Sequence, residues 1–325
     1  MLPTLWFRNT WSWGPIFDEC TKKPSLALKR HGLVEAVHGE LGEYQFTYDK
    51  EGEPLFTENE TNATRLFGVQ NQNPYVKDAF HEYIVQGHTN AVNPNRAGTK
   101  FSPCYVLEMD AGGSETIRLR LSARAEAPPE PFTGFDEILN QRKQEADEFY
   151  ASKIPDEIPG EARAVARQGY AGLLWSKQFY HYVIRHWLNG DSAQPPPDSN
   201  RKQGRNREWL HLFNRDVISM PDKWEYPWFA AWDLAFHMIP MARVDPDFAK
   251  QQLLLFLREW YMHPNGQIPA YEFAFGDVNP PVHAWAAWRV YKNDWRSGRA
   301  GQSISGKRVS KAAHQFHLVG EPQRS

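Results

Sequence analysis

The stretch Trp224–Pro240, WEYPWFAAWDLAFHMIP, constrains this chain more than any other. Between Glu225 and Arg243 its one formally charged side chain is Asp233, set among Trp228, Phe229, Trp232, Leu234 and Phe236. Read as a helix from about Pro227, it places Phe229, Asp233 and His237 at successive four-residue steps, on one face. A carboxylate in such a setting loses hydration, which disfavours its charged form and raises its pKa. That is what a general acid needs to hold a proton near neutral pH. The same pattern fits a structural Asp that caps a backbone or pairs with a buried Arg, since structural networks perturb pKa as well. On the local residues both readings stand open.

The 325 residues leave room for two domains or one large one. A net charge of −2 argues against nucleic acid as a main partner. Cys20 and Cys104 are too few for a disulfide framework and lack metal spacing, so they read as reduced thiols of a cytoplasmic protein. The N-terminal LPTLWFRNTWSWG lacks the basic start and apolar core of a signal peptide. No apolar run reaches the ~18 residues of a membrane span. The glycosylation patterns at Asn59 and Asn62 are then chance matches.

Residues 1–125 read as β structure, with short runs at Tyr44–Tyr48, Tyr83–Val85, Tyr105–Leu107 and Ile117–Ser122. Turn-forming clusters such as Asp49–Gly52 and Gly112–Gly113 separate them, which suggests an antiparallel β-sandwich. AEAPPEP, at Ala125–Pro131, breaks the pattern and opens a linker with its own helix, residues 126–158. Beyond it the period becomes helical. The expected helices run from Phe135 to about Ser152, from about Gly160 to Leu188, through the Asp233 stretch, from Asp245 to about Tyr261, and through Trp285 and Trp288. Asp245-Pro-Asp247 is a helix start with an N-cap acid and Pro at the first position. Asn189–Asn206, with Pro195-Pro-Pro197, is expected as a long exposed loop.

Eight of the 13 Trp fall between Trp209 and Trp295, interleaved with Asp, Glu, Asn, Gln and His. Sugars need that mixture, because their apolar faces stack on rings while their hydroxyls take directed hydrogen bonds. A Trp-rich helical core is the competing reading. His211, His237, His263 and His283 form no HxxxH or HExxH arrangement, and no nucleophile elbow, Walker loop or GxGxxG occurs. No metal and no cofactor is expected. What remains is carboxylate chemistry, with Glu272 and Asp277 as further acids on a loop.

The Asp233 stretch, together with DPDFAKQQLLLFLREWYMHPNGQIPAYEFAFGDVNPPVHAWAAW, resembles glycoside hydrolase family sixty-three, above all bacterial members near the mannosylglycerate hydrolases. LPTLWFRNTWSWG, PLFTENETNATRLFG and NPYVKDAFHEYIV resemble the β region of the same proteins. The resemblance implies an α+β multidomain chain: a β-sandwich portion, then the first helices of an (α/α)6 toroid over residues 159–298, incomplete in this chain. It implies hydrolysis of an α-glycosidic bond with inversion. Asp233, after Trp232, matches the family's general acid. The base, a late Glu in the family, has no match here, so the chain alone is expected to be inactive or a sugar-binding remnant. Carbohydrate is the implied partner, and no oligomeric state is set. Residues implied to line the sugar pocket are Tyr226, Trp228, Phe229, Trp232, His237, Gln267, Tyr271, Glu272, Asn279, His283 and Trp285. Residues 299–325 lose the helical period. Their codons, read one nucleotide later, can spell an apolar helix, so this segment is expected to be out of frame or disordered.

Overall fold

In LVEAVH, residues Leu33–His38, the alternation buries Val34 and Ala36 and leaves their neighbours part-exposed, which makes this run a strand with one face in a core. The computed structural model describes residues 1–14, 22–220, 222, 228–268, 270–271 and 281–296, the last three by their backbone only. Cys20 and the 299–325 segment lie outside the described residues. The chain divides into two units: Met1–Gln141 with Gly190–Pro196, and Arg142–Asn189 with Pro197–Ser325.

The first unit runs β1 (Leu5–Trp6), β2 (Ser25–Arg30), β3 (Leu33–His38), β4 (Gly42–Tyr48), β5 (Glu53–Thr57), α1 (Ala63–Phe67), α2 (Ala79–Val85), β6 (Ala97–Gly98), β7 (Lys100–Cys104), β8 (Leu119–Ala123) and the start of α3 (Phe135–Ala151). All pairings among these strands are antiparallel. One sheet has the order β6-β2-β3-β4-β8, the other β1-β7-β5. Leu26, Val34, Phe46 and Tyr48 of the first sheet share one core with Phe56 and Phe101 of the second. Phe46 meets Phe101 edge-on at 5.7 Å, and each such buried ring stabilises the fold by roughly 1.5–3 kcal/mol. The sheets approach closely at Gly98 in β6, where a Cβ would lie 2.4 Å from the Thr57 carbonyl oxygen.

Two expected strands are absent. Tyr83–Val85 closes α2, where Ala79 and Phe80 supply the buried face; a three-residue apolar run has no period to tell strand from helix. Tyr105 lies just past the end of β7 and exchanges hydrogen bonds with Met1. The amides at the two glycosylation patterns are used inside the unit. Asn59 Nδ2 donates to the Phe7 carbonyl at 2.9 Å, and Asn62 donates to Asp78 while its Oδ1 caps α1.

The second unit contains α4 (Gly160–Trp175), β9 (Lys177–Val183), α5 (Ile184–Asn189), β10 (Phe213–Ser219), α6 (Ala231–Val244), α7 (Pro246–Leu255) and α8 (Val282–Arg296). The single helix expected over 160–188 is therefore interrupted. KQFYHYV leaves the helix and pairs antiparallel with FNRDVIS, from Val183 opposite Phe213 to Lys177 opposite Ser219. Pairing with a strand some 30 residues away overrides a helical period read locally. The start of α7 is as expected: Asp245 Oδ1 accepts from Phe248 N at 3.1 Å, Pro246 is the first helical residue, and Lys177 pairs with Asp245. This helix ends at Leu255 and not near Tyr261, because tighter bonds such as Arg258 N to Leu255 O take over. The core of this unit joins Phe229, Leu234, Met238 and Met241 to Leu253, Phe256, Tyr261, Ala286 and Val290. Of the expected loop at 189–206, Gly190–Pro196 belongs to the first unit and Ser199–Gln203 forms a short 3-10 turn.

Candidate functional site

The helix that carries Asp233 starts where its preceding strand-like residue is held. Ala230 is extended, bridges Tyr271 antiparallel, and is followed by Ala231, whose N–H donates to the Ala270 carbonyl at 3.2 Å. α6 thus begins at Ala231, four residues later than the sequence pattern suggests, and Asp233 sits half-buried in its first turn. The shift takes Phe229 off the Asp233 face. It is fully buried, with its ring 4.6 Å from Phe256 and 5.6 Å from Tyr261. A ring so enclosed serves the core and has no surface left for a ligand.

The Ala230–Tyr271 bridge also brings Trp228 and Tyr271 to the end of α6 that holds Asp233, edge to face at 6.4 Å. One turn further along the helix is His237. Its Nδ1 lies 2.9 Å from Ser219 Oγ, which lies 2.7 Å from Ser176 Oγ. The single hydroxyl proton of Ser176 is given to the Leu173 carbonyl at 2.6 Å. Ser219 must then donate to Ser176, which leaves Ser219 Oγ to accept from His237 Nδ1–H. The network so fixes His237 as the Nδ1–H tautomer, with the lone pair on Nε2. Burial pushes the imidazole pKa below its ordinary value, against an upward pull from the Asp233 charge. A neutral imidazole therefore stands one helical turn from the carboxyl group.

The other predicted residues separate into distinct places. Trp232 and Trp285 lie on an exposed aromatic stripe, linked through Phe236: Trp232 meets Phe236 at 6.1 Å and Phe236 meets Trp285 at 5.7 Å. Gln267 belongs to the His263–Gln267 turn, where its carbonyl accepts from His263 N at 2.9 Å. His283 is in the core, stacked on Phe256, with Nε2–H donating to the Leu253 carbonyl at 2.9 Å. Burial pushes its pKa down to about 4. Tyr226, Glu272, Asp277 and Asn279 lie outside the described residues. So the structure gathers Asp233, Trp228, Tyr271 and His237 around the first turns of α6, and assigns Phe229 and His283 to packing. Ser176 and Ser219 escaped the sequence reading, because their meeting depends on the β9–β10 pairing that periodicity did not show. Among the described residues, no helix is long and apolar enough to cross a membrane.

Residues 226–307 match the family model of the mannosylglycerate hydrolase MGH1-like glycoside hydrolase domain. The resemblance is to a glycoside hydrolase. It covers Asp233 and all of α6, α7 and α8. A curated relative, an uncharacterized protein of Saccharomyces cerevisiae (YMR196W), is 45% identical over 327 residues, an alignment that covers 89% of this chain. The chain spans 30% of the length of that relative.

Proposed function

We propose that this chain carries the general-acid part of the site of an inverting α-glycosidase, of glucosidase or mannosylglycerate hydrolase type, acting on oligosaccharides or small glycosides. Asp233 gives its proton to the glycosidic oxygen as the bond to the anomeric carbon breaks. The rings of Trp228 and Tyr271 form the adjacent wall, with Trp232 and Trp285 on the neighbouring stripe. His237 is held neutral one turn along the helix and does not compete as a second acid. The observation that carries this reading is the glycoside hydrolase match over residues 226–307, with Asp233 half-exposed in the first turn of a helix inside it.

Inversion needs a second carboxylate about 6.5–9.5 Å from the acid, leaving room for a water. We assign that base to a part of the whole protein outside these residues, consistent with a relative of which this chain spans 30%. In the same proposal, residues 1–125 are a β-sandwich portion, 126–158 a linker and 159–298 the first part of an (α/α)6 toroid. A sugar-binding role without turnover is the second reading, which the exposed stripe of Trp232, Phe236 and Trp285 would serve equally. Proton NMR of whole-protein digests of aryl α-glucosides and α-mannosides separates these. The β-anomer appearing first supports inversion. The α-anomer appearing first refutes it, and no cleavage of either substrate leaves the binding reading.

A further inference from the structure

The blocks RNTWSWG (8–14) and FTENETN (56–62), 48 positions apart in sequence, meet in the first unit around a cleft that the glycosidase reading does not use. The turn at residues 9–14 is closed by Asn9, whose Oδ1 accepts from Ser12 N at 3.0 Å and whose Nδ2 donates to Ser12 Oγ at 2.8 Å. Trp11 Nε1–H ties this turn to Glu60 at 2.8 Å. The segment Gly190–Pro196 then lies across it. Gly14 has φ +82°, and a Cβ there would stand 2.5 Å from Ser192 Oγ, while Ala193 N–H donates to the Ser12 carbonyl at 3.2 Å. Only glycine permits that approach.

Between these segments is a cavity of about 250 Å³, and beside it a second of about 190 Å³; Ser12, Thr61 and Gln194 line both. Four polar side chains on the first cavity make no hydrogen bond to the described residues: Gln70 and Gln72, which are exposed, and Thr61 and Gln194, which are half-buried. Gln194 Oε1 is moreover sealed from solvent. A buried acceptor without a donor costs about 1–3 kcal/mol, a cost that turning the Gln194 amide onto a ligand hydroxyl would relieve. No cation is in excess: Lys23 is shared by Glu60 at 2.8 Å and Glu58 at 3.2 Å, and Lys77 and Asp191 line the second cavity together. Ala63 and Val76 give the first cavity an apolar floor, and Trp13 lines the second. At 250 Å³ the first cavity is below the roughly 300–1,000 Å³ of drug-sized ligands and suits one small ring.

We propose that this cleft is a second carbohydrate site, taking one ring of a neutral sugar whose hydroxyls meet Thr61 and the Gln70, Gln72 and Gln194 amides. Uncommitted amides and hydroxyls can both donate and accept, which matches sugar hydroxyls, and the lack of an excess cation disfavours phosphates and sugar acids. The site uses neither Asp233 nor hydrolysis, so it stands or falls apart from the proposed activity.

The test is calorimetric titration of the full 325-residue chain with methyl α-glucoside, methyl α-mannoside and maltose up to ~50 mM, the range of weak single-ring sites. Saturable binding is expected for at least one. Gln194→Met, close to isosteric but without the acceptor, should weaken it about tenfold or more. Thr61→Val, a smaller change, guards against a Gln194→Met variant that fails to fold and should weaken binding in the same direction. No saturable binding by any of the three sugars overturns the proposal, as does binding that survives both Thr61→Val and Gln194→Met.

Discussion

His283 ties the stability of the second unit to pH, and the size of the effect follows from its surroundings. Its side chain is 8% exposed, its ring stacks on Phe256 at 6.3 Å, and its Nε2–H is committed to the Leu253 carbonyl. Burial takes its pKa from 6.5 down to about 4. A histidine with a depressed folded pKa is neutral in the fold and protonates more readily in the unfolded chain. Its contribution is therefore fully present above pH 6.5 and is lost as pH falls from 6.5 through about 4. At ~1.36 kcal/mol per pKa unit, the drop from 6.5 to about 4 is worth about 3 kcal/mol. Urea unfolding at a series of pH values, for the natural chain and for His283→Gln, isolates this group. Gln keeps a donor for Leu253 but does not titrate, and every other group titrates in both backgrounds. The natural chain should lose about 3 kcal/mol more than the variant between pH 7 and pH 4. Stability curves that stay parallel within about 0.5 kcal/mol would refute the argument.

Asp245→Ala removes the N-cap of α7 and the partner of Lys177, and should cost about 1 kcal/mol, read as a lower urea midpoint with an unchanged slope. Ser219→Ala removes the acceptor for His237 Nδ1–H and should cost about 1–3 kcal/mol. Nitrogen-15 NMR of the ring should show Nδ1 protonated in the natural chain, with the Nε2–H form gaining in this variant; an Nε2–H ring in the natural chain would contradict the network.

Much of the site's skeleton was legible because its signals are local. Asp245-Pro-Asp247 marks a helix start through three adjacent residues, and the structure caps it with those residues. Asp233 was conspicuous as the lone charge in an apolar run, and it does lie half-buried in the first turn of a helix. The frame of that helix was not legible, since the bridge between Ala230 and Tyr271 that sets its start is a contact across 41 positions. Phe229 was misplaced for that reason. His283 looked like a ligand in a Trp-rich segment, yet its role follows from the Leu253 carbonyl, 30 residues away. The β9–β10 pair was hidden because KQFYHYV, taken alone, continues a helical pattern and only its partner FNRDVIS makes it a strand. The uncommitted amides of the N-terminal cleft could not be read at all, because lacking a partner is a property of the folded neighbourhood.

The most direct measurement of the central claim is the leaving-group dependence of Asp233→Asn in the whole protein. Asn keeps the shape and hydrogen bonding of Asp but has no proton to donate to a departing oxygen. General acid catalysis is worth about 10²–10⁴-fold. Turnover of an alkyl glycoside, whose leaving group needs a proton, should fall by that factor. A dinitrophenyl glycoside, whose leaving group departs as a stable anion, should lose far less. Equal and small losses on both substrates would remove Asp233 from the acid role.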